Sequence, residues 1–218
     1  MRAANSTWYN WYANDALARD VAELARGLTG TTVIDVGCGQ SPYRSLVAHF
    51  QHYVGVDAPG NPDSGERPDV LADAGDLPLR SASADLVLCT EVIEHVTDPV
   101  RVLFEAQRVL RPGGSLILSA PFTWHVHDEP HDYWRFTEFG LRVLCERAGF
   151  RVATVRATNR YFGAMQQSRA YWLYFVSGRF RPLTRPFVWL LQAVAVLAAP
   201  LDRNARMASN YVVLARKP

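Results

Sequence analysis

The sequence is poor in cysteine and lysine and contains no low-complexity tract. Three cysteines, Cys38, Cys89 and Cys145, are spread over 218 residues, too few and too far apart for a disulfide scaffold or a zinc ribbon. Residues 1–12 lack the basic and then apolar run of a signal peptide. These absences argue against a disordered chain and a disulfide-rich secreted domain. We therefore expect a cytoplasmic protein with one core.

An excess of charge of one sign is also missing from the chain as a whole. The formal net charge is +2, from 22 Arg, one Lys and 21 acidic residues, which does not indicate a nucleic-acid-binding protein. The distribution is uneven, because residues 1–157 have a net charge of −6 and residues 158–218 a net charge of +8. The second segment also contains 10 of the 25 aromatic residues. The two segments therefore need separate interpretation.

Apolar β-branched runs alternate with amphipathic runs over the first 157 residues. Helices are predicted from Asn14 or Asp15 to about Leu28, after the Asp98-Pro99 cap, and over 137–148. Pro42 suits the first turn of a further helix. Six strands are predicted, at 31–36, 53–57, 69–73, 85–90, 115–120 and about 150–158. This alternation predicts an α/β fold with a doubly wound, mostly parallel sheet and helices on both faces.

Three features would meet at the carboxyl edge of such a sheet, where ligands bind beside the first strand. Asp35, Gly37 and Gly39 form a glycine turn that lets a ligand approach the backbone. Asp57 ends the second strand, 22 residues after Asp35, where it could accept hydrogen bonds from both hydroxyls of a ribose. Asp73 ends the third strand, where it could pair with an adenine edge. The turn lacks the third glycine of the dinucleotide fingerprint, which argues against NAD.

At these residues the sequence resembles the class I S-adenosylmethionine-dependent methyltransferases. Segments 33–39 and 54–57 look like the glycine motif and the ribose-binding strand end of that family. Segments 85–96 and 109–114 are similar to its fourth-strand motif and to the turn before its fifth strand. The resemblance covers residues 30–157, and it implies a seven-stranded Rossmann-like sheet with S-adenosylmethionine as the cofactor.

The resemblance also implies roles for individual residues. Glu91 and Glu94 would shape the cofactor pocket, and His95 is interpreted as a packed histidine of the motif. Seven residues would contact the cofactor. Asp35, Gly37 and Gly39 would border its methionine moiety, and Asp57 would border its ribose. Asp73 and Ala74 would border its adenine, and the backbone at Thr90 would lie near its sulfonium.

The segment 122–135 follows the fifth strand and contains three of the six histidines. A methyltransferase must align the acceptor with the methyl group and, for a hydroxyl, remove a proton. His125 and His131 are candidates for that general base, since neighbouring carboxylates could orient them. A purely structural loop that folds over the site stays open. A metal site is less favoured, because the ligand spacing is not fixed, and no metal is predicted.

Aromatic residues are expected to enclose the acceptor. His127, Tyr133 and Trp134 would line its pocket from the histidine-rich loop. Residues 8–12 contain four aromatics and form either a hydrophobic staple or a lid that excludes water. Because lids from N-terminal segments recur in similar methyltransferases, we favour a lid, with Tyr12 in contact with the acceptor.

About fifty residues separate the sixth strand from a final antiparallel strand, where the resembled fold has a short hairpin. We interpret the chain as a single domain of 218 residues. Its parts are a lid and helix at 1–30, the cofactor-binding core at 31–157, a helical insert at 159–209 and a final strand at 210–217.

The insert is predicted to form two helices, at 163–177 and 184–200. Residues 186–201 carry no charge, but 16 residues fall short of the roughly 20 that span a bilayer, so a transmembrane helix is not expected. Burial on the domain is the default interpretation, and a dimer face or a lipid-contacting surface through 184–201 stays open. The surrounding arginines favour an anionic surface or a phosphate-bearing acceptor. They are Arg179, Arg181, Arg185, Arg203 and Arg206.

Residues 130–137, PHDYWRFT, together with the apolar insert, resemble a bacterial methyltransferase subgroup. Its members often accompany enzymes of cell-surface glycan or specialised-metabolite assembly, which implies a sugar, lipid-linked glycan or natural-product acceptor. We expect a cytoplasmic methyltransferase acting at oxygen, without a nucleic-acid partner. Two alternatives stay open: an enzyme that uses the cofactor for cyclisation or elimination, and a non-catalytic cofactor-binding partner subunit.

Overall fold

A computed structural model describes residues 11–60, 68–202 and 206–218. Within them, seven strands form one sheet of order β3-β2-β1-β4-β5-β7-β6, in which β7 runs antiparallel to β5 and β6. The predicted doubly wound, mostly parallel α/β fold is confirmed. The strands are β1 (Thr32–Val36), β2 (His52–Asp57), β3 (Val70–Leu71), β4 (Ala84–Thr90), β5 (Leu110–Pro121), β6 (Arg151–Thr158) and β7 (Asn210–Arg216).

The described residues include five α-helices, two of which begin at the predicted caps. The Asp98 side chain accepts a hydrogen bond from Arg101 N at 3.2 Å, and the Thr137 hydroxyl accepts one from Gly140 N at 3.1 Å. The helices are α1 (Trp11–Ala25), α2 (Pro99–Val109), α3 (Glu138–Arg147), α4 (Tyr161–Ser177) and α5 (Arg181–Ala198).

Helix α1 is already helical at Trp11, the first described residue and three residues before the predicted cap, and α5 packs against it there. The Trp11 ring stacks on Trp189 with 5.5 Å between ring centroids. Tyr12 N donates to Gln192 Oε1 at 3.2 Å. Tertiary contacts with α5 therefore support the helix at residues that precede the cap indicated by the sequence.

The helix expected after Pro42 is not formed, and a single 3₁₀ turn at Arg44–Val47 stands in its place. Gly37, Gly39 and Ser41 have φ values of 68°, 50° and 53°. These left-handed conformations keep the chain from Gly37 to Ser41 in a turn ahead of Pro42. Little chain then remains before β2 begins at His52, so the prediction was wrong on this element.

Apolar side chains cover both faces of the sheet, as expected where strands are buried on two sides. Along β5, Leu116 and Leu118 pack in the cluster that contains Leu103 of α2. Ile117 points to the opposite face, where it packs in the cluster with Val21 of α1. The two layers fix the sheet, so the carboxyl ends of β1, β2, β4 and β5 meet at one edge.

The two predicted insert helices are present as α4 and α5, which pack against each other on either side of a 3₁₀ turn at Gly178–Phe180. The default expectation that the apolar helix is buried was wrong, because α5 buries only Val188, Gln192 and Ala195. Segment 161–201 as a whole is long and apolar enough to cross a membrane by composition. An apolar stripe at steps of three and four residues is at least 41% exposed: Leu183, Phe187, Leu190, Val194, Leu197 and Leu201.

Candidate functional site

The glycine turn after β1 is tied to the end of β2. Gly37 N and Cys38 N both donate to Val56 O, at 2.8 and 3.0 Å. Gly39 N donates to Asp57 Oδ2 at 2.9 Å, and Asp57 is only 4% exposed. The candidate ribose carboxylate therefore lies directly beside the turn that is expected to approach the cofactor.

The two glycines of the turn have different surroundings. A Cβ built on Gly37 would lie 2.3 Å from Val92 Cγ2, so this glycine is needed for close packing. A Cβ on Gly39 would meet no heavy atom within 4 Å. The backbone at Gly39 therefore borders open space at the carboxyl edge of the sheet, which is where a ligand can approach it.

Asp35 is a buried carboxyl group with one unsatisfied oxygen. The Tyr53 hydroxyl donates to its Oδ2, whereas Oδ1 has no hydrogen-bond partner among the described residues. Burial raises the pKa of Asp35 to about 7, against the opposing effect of the Tyr53 hydrogen bond. The side chain therefore has an unused acceptor for a cationic partner, such as the ammonium group of an amino acid.

The candidate adenine residues lie farther along the same edge. Strand β3 ends at Leu71, so Asp73 lies in the following loop, where its Oδ1 accepts a hydrogen bond from Gly75 N at 2.7 Å. Ala74 packs on the core, and Thr90 is the buried last residue of β4. Thr90 therefore ends the strand beside β1, whereas Asp73 and Ala74 follow the edge strand.

Glu91, directly after β4, joins the ends of three strands. Its Oε1 accepts a hydrogen bond from Ser119 Oγ of β5 at 2.6 Å, and its Oε2 accepts one from Asn210 Nδ2 of β7. Burial raises the pKa of Glu91 to about 7. Its φ of 55° is uncommon for a residue with a side chain and marks a strained position of the kind found at functional sites.

The loop after β5 is hydrogen-bonded to the segment after β4. Tyr133 N donates to Glu94 O at 2.8 Å, and Trp134 Nε1 donates to Val96 O at 2.9 Å. Within the loop, Arg135 Nη1 and Nη2 bind the two oxygens of Asp132 at 2.6 and 2.8 Å. This bidentate pair holds the pKa of Asp132 far below its usual range. The loop is therefore held in one arrangement by its own contacts.

The two candidate bases have different surroundings. The His125 ring stacks on Tyr171 of α4 with 3.3 Å between centroids, and burial, with nearby His127 and Arg135, lowers its pKa to about 4. His125 is therefore neutral at pH 7 and a weak base. His131 is exposed, with Nδ1 3.0 Å from the Tyr133 hydroxyl. The structure does not bring the two imidazoles into contact with each other.

A cavity of about 320 Å³ lies at the carboxyl end of β6, between α1 and α4. Asn159, which is 8% exposed, lines it, and within the described parts of the chain neither atom of its side-chain amide has a hydrogen-bond partner. Tyr12 lines the same cavity, whereas residues 8–10 of the predicted lid and Arg203 lie outside the described residues. Charged groups complete a polar wall suited to a polar acceptor: Arg19, Asp20, Glu23, Arg160 and Asp202.

His95 was assigned to packing from the sequence, but it lies beside the histidine-rich loop. The His95 and His127 rings are 4.8 Å apart between centroids. Glu94 is fully buried, and no residue that the structure describes donates a hydrogen bond to either of its carboxylate oxygens. One feature of the sequence could have predicted this proximity. The segments that contain His95 and His127 follow β4 and β5, which are adjacent parallel strands whose ends share the ligand edge.

Comparisons with known proteins match this region. A family model described as a methyltransferase domain matches residues 34–118, from β1 to most of β5. The O-methyltransferase rstn1 of Aspergillus nomiae is 28% identical over 164 residues, which cover 64% of this chain and 73% of the relative. A probable S-adenosylmethionine-dependent methyltransferase of Mycolicibacterium smegmatis is 34% identical over 146 residues, covering 59% of this chain and 55% of the relative.

Several further curated relatives are matched over about half of their length or less. Among solved structures, the [4+2]-cyclase SpnF has a TM-score of 0.60 at 20% identity, covering 94% of this chain and 80% of the cyclase. At that identity the likeness concerns the fold. The matched sequence region carries β1, β2 and β4, the strands that end at the glycine turn, Asp57 and Thr90.

Proposed function

We propose that the protein is a class I S-adenosylmethionine-dependent methyltransferase and that it methylates a hydroxyl oxygen of a sugar, lipid-linked glycan or natural-product acceptor. The carrying observation is the 2.9 Å hydrogen bond from Gly39 N to Asp57, beside the open space at Gly39. Similarity to an O-methyltransferase supports oxygen as the acceptor atom. The PHDYWRFT segment at 130–137 motivates the acceptor class.

The buried carboxylates of Asp35 and Asp57 would each contact a different part of the cofactor. The unsatisfied Oδ1 of Asp35 would accept a hydrogen bond from the ammonium of the methionine moiety. Asp57 would accept bonds from the ribose hydroxyls, since each carboxylate oxygen takes more than one donor. Asp73 and Ala74 would border the adenine, with Thr90 near the sulfonium. The cofactor itself supplies the electrophilic methyl group.

The acceptor would approach between the histidine-rich loop and the insert. The stack of Tyr171 on His125 connects α4 to this loop, and the polar cavity with Tyr12 and Asn159 lies on the same sheet edge. His127, Tyr133 and Trp134 would contact the acceptor. His131 or His125 would take the hydroxyl proton, and the neutral state of His125 at pH 7 is compatible with that role.

The exposed stripe of α5 would bring the enzyme to a lipid-linked acceptor. Six apolar side chains of 183–201 are exposed along one line, Arg179 lies in the turn before α5, and Arg181 and Arg185 lie near the start of α5. Apolar side chains flanked by arginines favour peripheral contact with an anionic membrane surface. We place the protein at the cytoplasmic face. A homodimer through 184–201 is the competing use of this stripe.

Calorimetry and an acceptor screen test the proposal. We expect S-adenosylhomocysteine to bind the wild type, and Asp57→Ala to weaken binding about 100-fold by removing two charge-assisted hydrogen bonds. The matched control is Glu146→Ala, an exposed carboxylate on α3. Sugars, lipid-linked glycans and hydroxylated natural products would then be incubated with methyl-labelled cofactor.

The outcomes separate the alternatives. Failure of the wild type to bind S-adenosylhomocysteine would overturn the cofactor assignment. Label transfer to an acceptor oxygen supports the proposal. Cofactor binding with no transfer to any acceptor class would contradict it and favour non-methylating chemistry or a partner subunit.

A further inference from the structure

Four side chains from two loops converge beside the candidate acceptor site. Glu94 and His95 follow β4, whereas His127 and Asp128 belong to the loop after β5. One ligand atom each from Glu94, His95 and His127 lie within 4.8 Å of one another. Asp128 Oδ2 completes the group, 4.0 Å from His95 Nε2 and 3.9 Å from His127 Nε2.

Each imidazole uses its other nitrogen in the surrounding loop. His95 Nδ1 lies 2.7 Å from His131 O, so it carries the proton and leaves the lone pair on Nε2. His127 Nδ1 lies 3.3 Å from His125 O and 3.2 Å from an oxygen of Asp132. Both Nε2 atoms therefore face the Asp128 carboxylate as acceptors. Metal-binding histidines in proteins are oriented by contacts of this kind.

Glu94 gives an independent indication of a missing cation. Its side chain is fully buried, and neither carboxylate oxygen accepts a hydrogen bond from any described residue. Oε1 lies 3.8 Å from His95 Nε2. Buried polar groups are almost always satisfied, and an unpaired buried carboxylate is especially costly. A cation bound between Glu94 and the imidazoles would satisfy it.

The distances and donor types indicate which cation fits. Three of the separations between these ligand atoms are 3.8, 3.9 and 4.0 Å, and those among Glu94, His95 and His127 are at most 4.8 Å, against an edge of about 3.4 Å in a tetrahedron with bonds of about 2.1 Å. Binding of an ion therefore requires the side chains to rotate inward. Two imidazole nitrogens and two carboxylates suit Zn²⁺ and neighbouring divalent transition metals better than Ca²⁺ or Mg²⁺.

We propose that Glu94, His95, His127 and Asp128 bind one divalent transition-metal ion. Such an ion would join the segment after β4 to the acceptor loop after β5. The Asp128 side chain is 65% exposed, so solvent reaches the site from that side and an oxygen ligand can enter. The site requires no bound S-adenosylmethionine, and it extends beyond the proposed function.

Metal titration of the full-length protein tests the site directly. After chelator treatment and dialysis, Zn²⁺ and Mn²⁺ are titrated by calorimetry, and we expect one ion per chain. Glu94→Gln and His127→Asn should each lower the affinity by about 100-fold or more, because each removes a direct ligand. The matched control, His52→Asn, changes an exposed histidine and should leave the affinity unchanged.

A spectroscopic readout on the wild type avoids dependence on the folding of variants. Co²⁺ should give the visible absorption of a four- or five-coordinate N/O site, and one equivalent of Zn²⁺ should abolish it. The absence of stoichiometric binding, or equal affinity in wild type, Glu94→Gln and His127→Asn, would overturn the proposal. S-adenosylhomocysteine binding by the chelated protein is measured in parallel, so failure of the metal site and failure of the cofactor site are distinguishable.

Discussion

Gly37 and Gly39 share a left-handed backbone but should respond differently to substitution by alanine. At Gly37 the new Cβ would meet Val92 at 2.3 Å, in addition to the strain of φ 68°. We expect Gly37→Ala to lower the free energy of unfolding by about 2 to 4 kcal/mol. At Gly39 only the strain of φ 50° applies, so Gly39→Ala should cost about 1 to 2 kcal/mol.

Gly39→Ala should affect cofactor affinity more than it affects stability. The Cβ of Gly39→Ala would project into the space that we assign to S-adenosylmethionine, so its affinity for S-adenosylhomocysteine should fall at least about tenfold at modest cost in stability. Urea denaturation and calorimetry give the two quantities. Wild-type affinity in a folded Gly39→Ala protein would show that the turn does not face the cofactor.

The raised pKa of Asp35 predicts a pH dependence of cofactor binding. Burial lifts this pKa to about 7, so the carboxyl is mostly neutral at pH 6 and mostly ionised at pH 8. The ligand ammonium prefers the ionised form. Affinity for S-adenosylhomocysteine should therefore rise about tenfold from pH 6 to pH 8.

The Asp35→Asn variant separates this effect from other titrations. It should bind more weakly and with a flatter pH profile, measured by calorimetry at each pH. The pKa of Glu91 is also raised to about 7, so Glu91→Gln serves as the comparison and should retain the slope. A slope that survives in Asp35→Asn and disappears in Glu91→Gln would assign the titration to Glu91 instead.

Local signals predict some site residues and miss others. Gly37, Gly39 and Asp57 could be placed from sequence because strand ends and glycine turns leave short-range patterns. The pairing of His95 with His127 could not, because it depends on the path of a loop 32 residues farther along the chain. The stack of His125 against Tyr171 of the insert could not be placed either, because it is a contact without a sequence pattern.

At the scale of elements, the sequence predicted helix α5 but left open whether its apolar side chains are buried or exposed. Its stripe at steps of three and four residues is exposed, while Gln192 on the buried side accepts a hydrogen bond from Tyr12 N. Apolar composition predicted a helix but could not decide its surroundings, because the same residues suit a core or a surface that contacts lipid. Contacts with α1 and α4 decide which side faces inward.

Vesicle binding tests the exposed stripe. The double variant Leu190→Glu/Leu197→Glu removes two side chains that are 61% and 78% exposed, so the fold should tolerate it. We expect at least about tenfold weaker co-sedimentation with anionic vesicles, since each leucine contributes about 1.5 kcal/mol or more on burial in lipid. Thermal melts monitor folding.

The matched control for this variant lies on another helix. Phe139→Glu changes a residue of α3 that is 71% exposed, and it should leave vesicle binding unchanged. Sedimentation velocity detects the alternative. Concentration-dependent dimers that the double variant abolishes, with no vesicle binding by the wild type, would assign the stripe to a homodimer.

At the scale of the whole molecule, charge is separated along the chain. Residues 1–157 have a net charge of −6 and residues 158–218 of +8, although the sum is only +2. Attraction of the basic segment to anionic lipid should weaken as salt shortens the screening length from about 10 Å at 0.1 M to about 3 Å at 1 M.

Salt dependence can therefore distinguish binding to anionic vesicles from binding of S-adenosylhomocysteine. Raising the NaCl concentration roughly tenfold, from about 0.05 M to about 0.5 M, should weaken co-sedimentation with anionic vesicles several-fold. Binding of S-adenosylhomocysteine to buried Asp35 and Asp57 should change much less. Vesicle binding that is insensitive to salt would mean that the arginines do not contribute to it.

The antiparallel direction of β7 makes the insert, which we propose to face the acceptor, separable from the strands that we propose to hold the cofactor. Strand β6 ends at Thr158 and β7 begins at Asn210, and these two residues are paired in the sheet. Any chain inserted between them leaves and returns at the ligand edge, whatever its length. Insertions or exchanges there can alter what is methylated without changing the register of β1, β2 or β4. In this topology, substrate choice can evolve as an exchangeable module beside an unchanged cofactor site.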